Sequence, residues 1–346
     1  MNMHEGMNNG IEPKPEYTRK SFTSNLENAD GNFESFSIRL DKDGKPPLIV
    51  FEDIDKTLLH LEPTYKEIRK AMWPEAVSKD GIEEVGRVHL AGFRLGTMWR
   101  ELYRMHAIYN LGKTEWKNPD KYEEEFLAVG KDGENIDEPN DPLHIECDKL
   151  LEKFDDIAAS TVEKQAKENP NFFDEAKIQP IYKLNALYKR LGVVIVGMTA
   201  NPKKFANALC KYAGLGESFI DCATDTDVPG KKEYKMQYLI KQLEAKGIKI
   251  PYDKILIIGD SPLGDVGSGS KFQKLEKEEH PEVRTKGIVI NGNEEDLIVA
   301  INKLKETTDM EINAIDVNQV PIDKHGNPDL TQKGRDKFYT EINTLK

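Results

Sequence analysis

The chain has 346 residues, 38% hydrophobic and 32% charged, with 49 Lys and Arg against 61 Asp and Glu and a formal charge of -12. That length suits about two domains and leaves enough apolar material for a sizeable core. The negative balance repels phosphate backbones and anionic lipid headgroups, so neither nucleic acid nor membrane is expected as the main partner. The longest apolar runs, around Val193–Met198 and Ile255–Ile258, fall far short of the ~18 residues of a membrane span. The N-terminus lacks the apolar stretch of a signal peptide. Cys147, Cys210 and Cys222 lie far apart and form no CxxC, which reads as reduced thiols in a cytoplasmic protein.

Residues 1–46 are rich in Asn, Glu, Ser, Lys and Gly without a sustained period, and are expected to form a polar, largely disordered arm. Leu48–Phe51 is a continuous apolar run and predicts a buried strand. From residue 60 to 176 no strand pattern occurs. Long helical patterns fill the interval instead, over residues 81–110 and 144–169. Beyond it, strands are predicted at Val193–Val196 and Ile255–Ile258, with weaker ones at Phe219–Cys222 and Gly287–Ile290. They alternate with helices at Ile181–Arg190, Lys203–Tyr212, Lys232–Lys246 and Glu294–Lys305. Apolar runs this short are what parallel strands covered on both faces require. The expectation is an α/β protein, a doubly wound, Rossmann-like parallel sheet over residues 47–59 and 177–305. An all-α domain is inserted over residues 60–176, and a polar tail occupies residues 306–346.

Ligands bind outside the C-terminal ends of strands in such sheets. The first strand ends in Glu52-Asp53-Ile54-Asp55-Lys56-Thr57. Two carboxylates two residues apart repel each other unless a cation neutralises them, and a hard divalent ion such as Mg2+ suits them. Acidic residues also simply mark strand ends and turns. After the second core strand come Thr199, Ala200, Asn201 and Pro202, a hydroxyl and backbone amides near a helix start that suit a phosphate or act as an ordinary cap. Gly259-Asp260-Ser261-Pro262-Leu263-Gly264-Asp265 supplies a second carboxylate pair, or a turn. Lys231, Lys232 and Lys235 open the preceding helix, where the macrodipole disfavours a cation.

In this order the elements resemble the haloacid dehalogenase (HAD) superfamily of phosphohydrolases. Asp53, Asp55 and Thr57 match its first motif, Thr199 its second, and Asp260 and Asp265 its fourth. The resemblance implies a phosphatase with Asp53 as nucleophile and Asp55 as general acid and base. It further implies Mg2+ held by Asp53, the Asp55 carbonyl, Asp260 and Asp265, and phosphoryl oxygens bound by Thr199, Asn201 and a lysine. Lys232 is assigned that role because it shares a helical stripe with Met236, Leu239 and Leu243. Lys235 has the more usual spacing from Asp260. The presence of Asp55 disfavours dehalogenation, and the expected substrate is a small phosphorylated metabolite. A phosphomutase and a catalytically idle scaffold are the alternatives. Glu52 and Lys56 stand where many relatives carry an aromatic residue and Gly. The insertion point matches members with a helical cap that closes over the sheet. His60 and the cap residues Arg87, His89, Arg94, Trp99, Arg100, Arg104 and His106 read mostly as surface and core positions.

Overall fold

The computed structural model describes residues 16–28, 30–92, 98–122, 124–125, 142–261, 264–265 and 267–290. Its first strands, β1 (Thr18–Glu27) and β2 (Phe33–Leu40), form an antiparallel hairpin. This corrects the expectation of a disordered arm over residues 1–46, of which 1–15 lie outside the described residues. In β2 only alternate positions, Phe36, Ile38 and Leu40, are buried, and in β1 only Ser24 and Leu26. The polar residues between them mask a half-buried strand with a period of two.

Five strands, β3 (Ile49–Asp53), β4 (Val194–Met198), β5 (Asp221–Ala223), β6 (Ile255–Gly259) and β7 (Thr285–Val289), form a parallel sheet in the spatial order β5-β4-β3-β6-β7. Around it lie α8 (Gln179–Leu191), α9 (Lys203–Tyr212), α10 (Lys232–Ala245) and α11 (Gly267–Glu276). Side chains alternate across the sheet. Ile49 and Phe51 pack with Met236 and Leu239 of α10 and Phe272 of α11, whereas Val50 packs with residues of α8 and α9. The α/β doubly wound expectation therefore holds, with β3 at its centre. The helix expected at Glu294–Lys305 and the tail over 306–346 lie outside the described residues.

The hairpin blunts one sheet edge, where unpaired backbone groups invite foreign strands. Register with β2 breaks between Thr23 and Glu27. In that break Asn25 N donates to Ile220 O (3.0 Å) and Ser24 Oγ to Phe219 O (3.0 Å).

Between β3 and α8 every described element is helical: α1 (Glu62–Met72), α2 (Pro74–Asp80), α3 (Ile82–Gly92), α4 (Met98–Asn110), α5 (Pro119–Tyr122), α6 (Pro142–Glu168) and α7 (Phe172–Ala176), with a 3-10 turn at Thr114–Lys117. The segment's two ends meet in a narrow ribbon. His60 N donates to Ala176 O and Ile178 N to Leu58 O, both at 2.8 Å. Helix α6 lies against α9, and Asp155 caps α9 from outside, accepting from Lys204 N (3.0 Å) and Phe205 N (2.6 Å). Pro202 precedes α9 and offers no side-chain cap of its own.

Candidate active site

Strand register alone brings three chemically useful residues together. Asp53 pairs with Met198 of β4, so Thr199 stands one residue beyond it. Glu52 pairs with Ile258 of β6, which sets Asp53 level with Gly259 and places Asp260 one residue beyond. The sheet's centre thus presents Asp53, Thr199 and Asp260 at its C-terminal edge, where no further strand residue competes for the space. Asp265 returns to this edge through the loop that follows. Its Oδ2 accepts from Ser261 N (2.9 Å) and its backbone N donates to Ser261 O (3.0 Å). Gly259 makes that return possible, because a Cβ there would lie 2.3 Å from Asp265 Oδ2.

Asp53, Asp260 and Asp265 each offer a carboxylate oxygen, all within 4.8 Å of one another. Three hard oxygen donors this close suit a small divalent cation such as Mg2+. The Lys232 ammonium is paired with both Asp53 and Asp265. Burial raises the Asp53 pKa to about 7, against the lowering pull of Lys232. Burial likewise raises Asp55 to about 6, with Lys56 opposing. Asp260 is pushed up by burial and by the Asp265 charge. Burial disfavours the Lys232 charge, but the two aspartates outweigh it and hold the ammonium above its ordinary range. A carboxyl near 6 suits proton transfer at neutral pH.

The two competing lysines separate by partner. Lys235 is fully buried and donates to Asp225 Oδ1 (2.9 Å) and Gly230 O (3.0 Å). Lys231 is the residue just before α10. On the β4 side, Thr199 and Asn201 are both buried, and Asn201 N donates to Thr199 Oγ1 (3.0 Å). Thr57 Oγ1 approaches Asp53 Oδ2 at 3.5 Å, a long contact.

The model of one protein family, haloacid dehalogenase-like hydrolase, matches residues 48–272. The chain belongs to this family. Among curated proteins none matches it. Of solved structures, one from Lactobacillus delbrueckii subsp. bulgaricus described as a phosphoglycolate phosphatase is 14% identical, with a TM-score of 0.42 over 76% of this chain and 99% of its own. One from Thermotoga maritima described as a beta-phosphoglucomutase is 14% identical, with a TM-score of 0.39 over 74% and 99%. CbbY from Rhodobacter sphaeroides, in complex with phosphate, is 15% identical, with a TM-score of 0.37 over 71% and 87%. These scores bear on neither reaction nor substrate.

Within this HAD-like chain the two departures from the first motif have physical consequences. Lys56 adopts φ 58°, the one left-handed non-glycine among the described residues. The turn it makes needs the conformation glycine reaches without strain. Lys56 N donates to Leu59 O (2.8 Å) within this turn, and its ammonium lowers the pKa of Asp55 and Asp260. Glu52 points to the opposite face of the sheet from Asp53. It is fully buried, and Asn185 Nδ2 donates to its Oε2 (2.8 Å).

The cap residues singled out in the sequence fill structural roles where they are described. Arg104 is buried on Glu101 and donates to Trp116 O (2.7 Å), while Arg87 pairs with Glu84 on the surface. His89 is buried with its Nδ1 3.2 Å from Arg69 Nε, and His106 Nε2 lies 3.0 Å from Glu146. His60 is exposed in the ribbon that joins the segment's ends. Arg94 and the Trp99 side chain lie outside the described residues. Among the described residues, a cap residue that reaches the site is Tyr65 of α1, whose hydroxyl donates to Asn201 Oδ1 (2.8 Å). An aromatic on a helix's apolar stripe looks like core packing in sequence, so nothing marked it.

Proposed function

We propose that this HAD-like hydrolase is a Mg2+-dependent phosphatase that cleaves a phosphate monoester of a small cytoplasmic metabolite through an aspartyl-phosphate. The observation that supports this most strongly is the triad of carboxylate oxygens from Asp53, Asp260 and Asp265 within 4.8 Å of one another, with the Lys232 ammonium against it. Asp53 attacks phosphorus, and a new P–O bond forms as the ester P–O bond breaks. Asp55 gives its proton to the departing alkoxide and then takes one from the water that attacks the phosphoaspartate. Lys232, Thr199 and Asn201 hold the phosphoryl oxygens, whose charge needs fixed donors in the transition state. Asp53, Asp260 and Asp265 would hold Mg2+, with the Asp55 carbonyl, and the ion when bound neutralises the negative charge gathered there.

No helix among the described residues is long and apolar enough to cross a membrane. The test is hydrolysis of an aryl phosphate with Mg2+ and with EDTA, followed by a panel of sugar phosphates, nucleotides and phosphoamino acids. Turnover that needs Mg2+ and releases inorganic phosphate is expected. Full activity in chelator, or an enzyme inert toward every ester, contradicts the proposal. Isomerised phosphoester without phosphate release identifies a mutase instead.

A further inference from the structure

Asn201 has an unusual mixture of fixed and unused groups. Its backbone N donates to Thr199 Oγ1 (3.0 Å) and its backbone O accepts from Asp225 N (3.0 Å). Its side-chain oxygen accepts from the Tyr65 hydroxyl (2.8 Å). The side-chain nitrogen, in a residue only 2% exposed, has no hydrogen-bond partner among the described residues. Burying an amide donor without an acceptor forfeits its hydration for nothing, unless a ligand supplies the acceptor. Asn201 lies two residues past Thr199, on the loop that faces Asp53. Met198, at the end of the strand that leads into this loop, pairs with Asp53, and the Asp55 and Asp53 charges both reach Tyr65, opposing its ionisation.

We infer that Tyr65 is a positioning residue: it holds the Asn201 carboxamide by its oxygen, so that the amide nitrogen donates to an oxygen of the bound phosphoryl group. The inference rests on the phosphohydrolase reading of the site. The Tyr65 hydroxyl stays protonated at any working pH, because burial and the nearby aspartates oppose its ionisation. With the amide reversed, a carbonyl oxygen would face the phosphoryl oxygens and repel them. The tyrosine ring is held edge-on to Phe205 of α9 and to His89 of α3, with ring centres 5.9 and 6.3 Å away, so packing aims the hydroxyl. Tyr65 belongs to the inserted segment and Asn201 to the sheet domain. The amide is therefore set only while α1 is seated on the sheet domain. Phosphate binding and cap seating must then strengthen each other by the same factor.

The experiment compares wild type, Tyr65→Phe, Asn201→Ala and the double variant. Inorganic phosphate binding is measured by calorimetry in the presence of Mg2+, alongside kcat and KM for an aryl phosphate. Tyr65→Phe keeps the ring and its packing, so thermal stability reports any purely structural effect. Loss of one hydrogen bond to a charged oxygen predicts roughly tenfold weaker phosphate binding and a raised KM in Tyr65→Phe. Asn201→Ala should lose at least as much, and the double variant no more than Asn201→Ala, because the two act as one unit. Phosphate affinity within about twofold of wild type in Tyr65→Phe, or losses that multiply in the double variant, overturns the inference. A wild type inert toward esters, yet binding phosphate in a Tyr65-dependent way, removes the phosphatase reading and keeps the positioning role. A wild type that binds no phosphate removes both.

Discussion

Glu52 offers a measurement in which stability and site architecture meet. Its carboxyl, on β3 next to Asp53, is fully buried, and burial raises its pKa from 4.5 to about 8, opposed by the Asn185 hydrogen bond. Between those values the unfolded chain releases the proton and the folded chain keeps it, so stability falls as pH rises and the loss is complete near pH 8. Integrating that difference gives a penalty of about 1 kcal/mol at pH 5 and about 3 kcal/mol at pH 7. Glu52→Gln is nearly isosteric with the protonated acid, retains an oxygen for Asn185 Nδ2, and carries no titration. The variant should therefore gain stability over wild type progressively from pH 5 to pH 8. Urea unfolding followed by far-UV circular dichroism in EDTA, at pH 5, 6, 7 and 8, reads the gap directly. Asp53 and Asp55, raised by burial to about 7 and about 6, slope the same way but are common to both proteins. A gap that stays constant over this range refutes the reasoning.

Asp53→Asn should abolish turnover on every ester while leaving the circular dichroism spectrum unchanged, because an amide fills the space but cannot attack phosphorus; residual activity in purified variant removes Asp53 from its role. Lys232→Ala should lower turnover on unrelated esters by a common factor, since in the proposed mechanism the lysine meets only the shared phosphoryl group. Lys235→Ala strands the buried Asp225 carboxylate and should cost about 3–5 kcal/mol of stability by denaturant unfolding; an unchanged unfolding midpoint would contradict that pairing. Gly259→Ala places a methyl 2.3 Å from Asp265 Oδ2, and should raise the Mg2+ concentration needed for half-maximal activity by about tenfold or more. An unchanged Mg2+ titration would show that Asp265 is not needed for metal binding.

The parallel strands were legible because both of their faces are covered. β3, β4 and β6 open on apolar runs and begin within one residue of the predicted ones. The edge strand β5 begins two residues later than expected, since Phe219 and Ile220 are buried before the ladder starts. The hairpin escaped notice because only every second residue of β2 is apolar and the polar residues between dominate the average. In the site, Asp53, Thr199 and Asp260 are positioned by local chain geometry at strand ends, so a linear reading reaches them. Lys232 needed the helical stripe through Met236, Leu239 and Leu243, all buried against the sheet. Tyr65 and Asp155 act through partners far along the chain, Asn201 and the start of α9, and long-range pairing leaves no local trace.

The narrow ribbon joining Leu58 to Ile178 and His60 to Ala176 also dictates an order of assembly. Pairing β3 with β4 requires residues on either side of the 60–176 segment to meet, and closing so long a loop from an unstructured chain costs about 4 kcal/mol of entropy. The packing of α1 on α6 joins residues nearly as distant, Thr64 Oγ1 donating to Gln165 Oε1 (2.9 Å) across 101 positions, so it takes on most of that cost. Once α1 has packed against α6, most of the intervening chain is already gathered and the remaining gap is short. The inserted helices therefore act as an internal clamp for the sheet: variants that loosen α1 from α6 should slow sheet formation in stopped-flow refolding, even though neither helix contributes a strand.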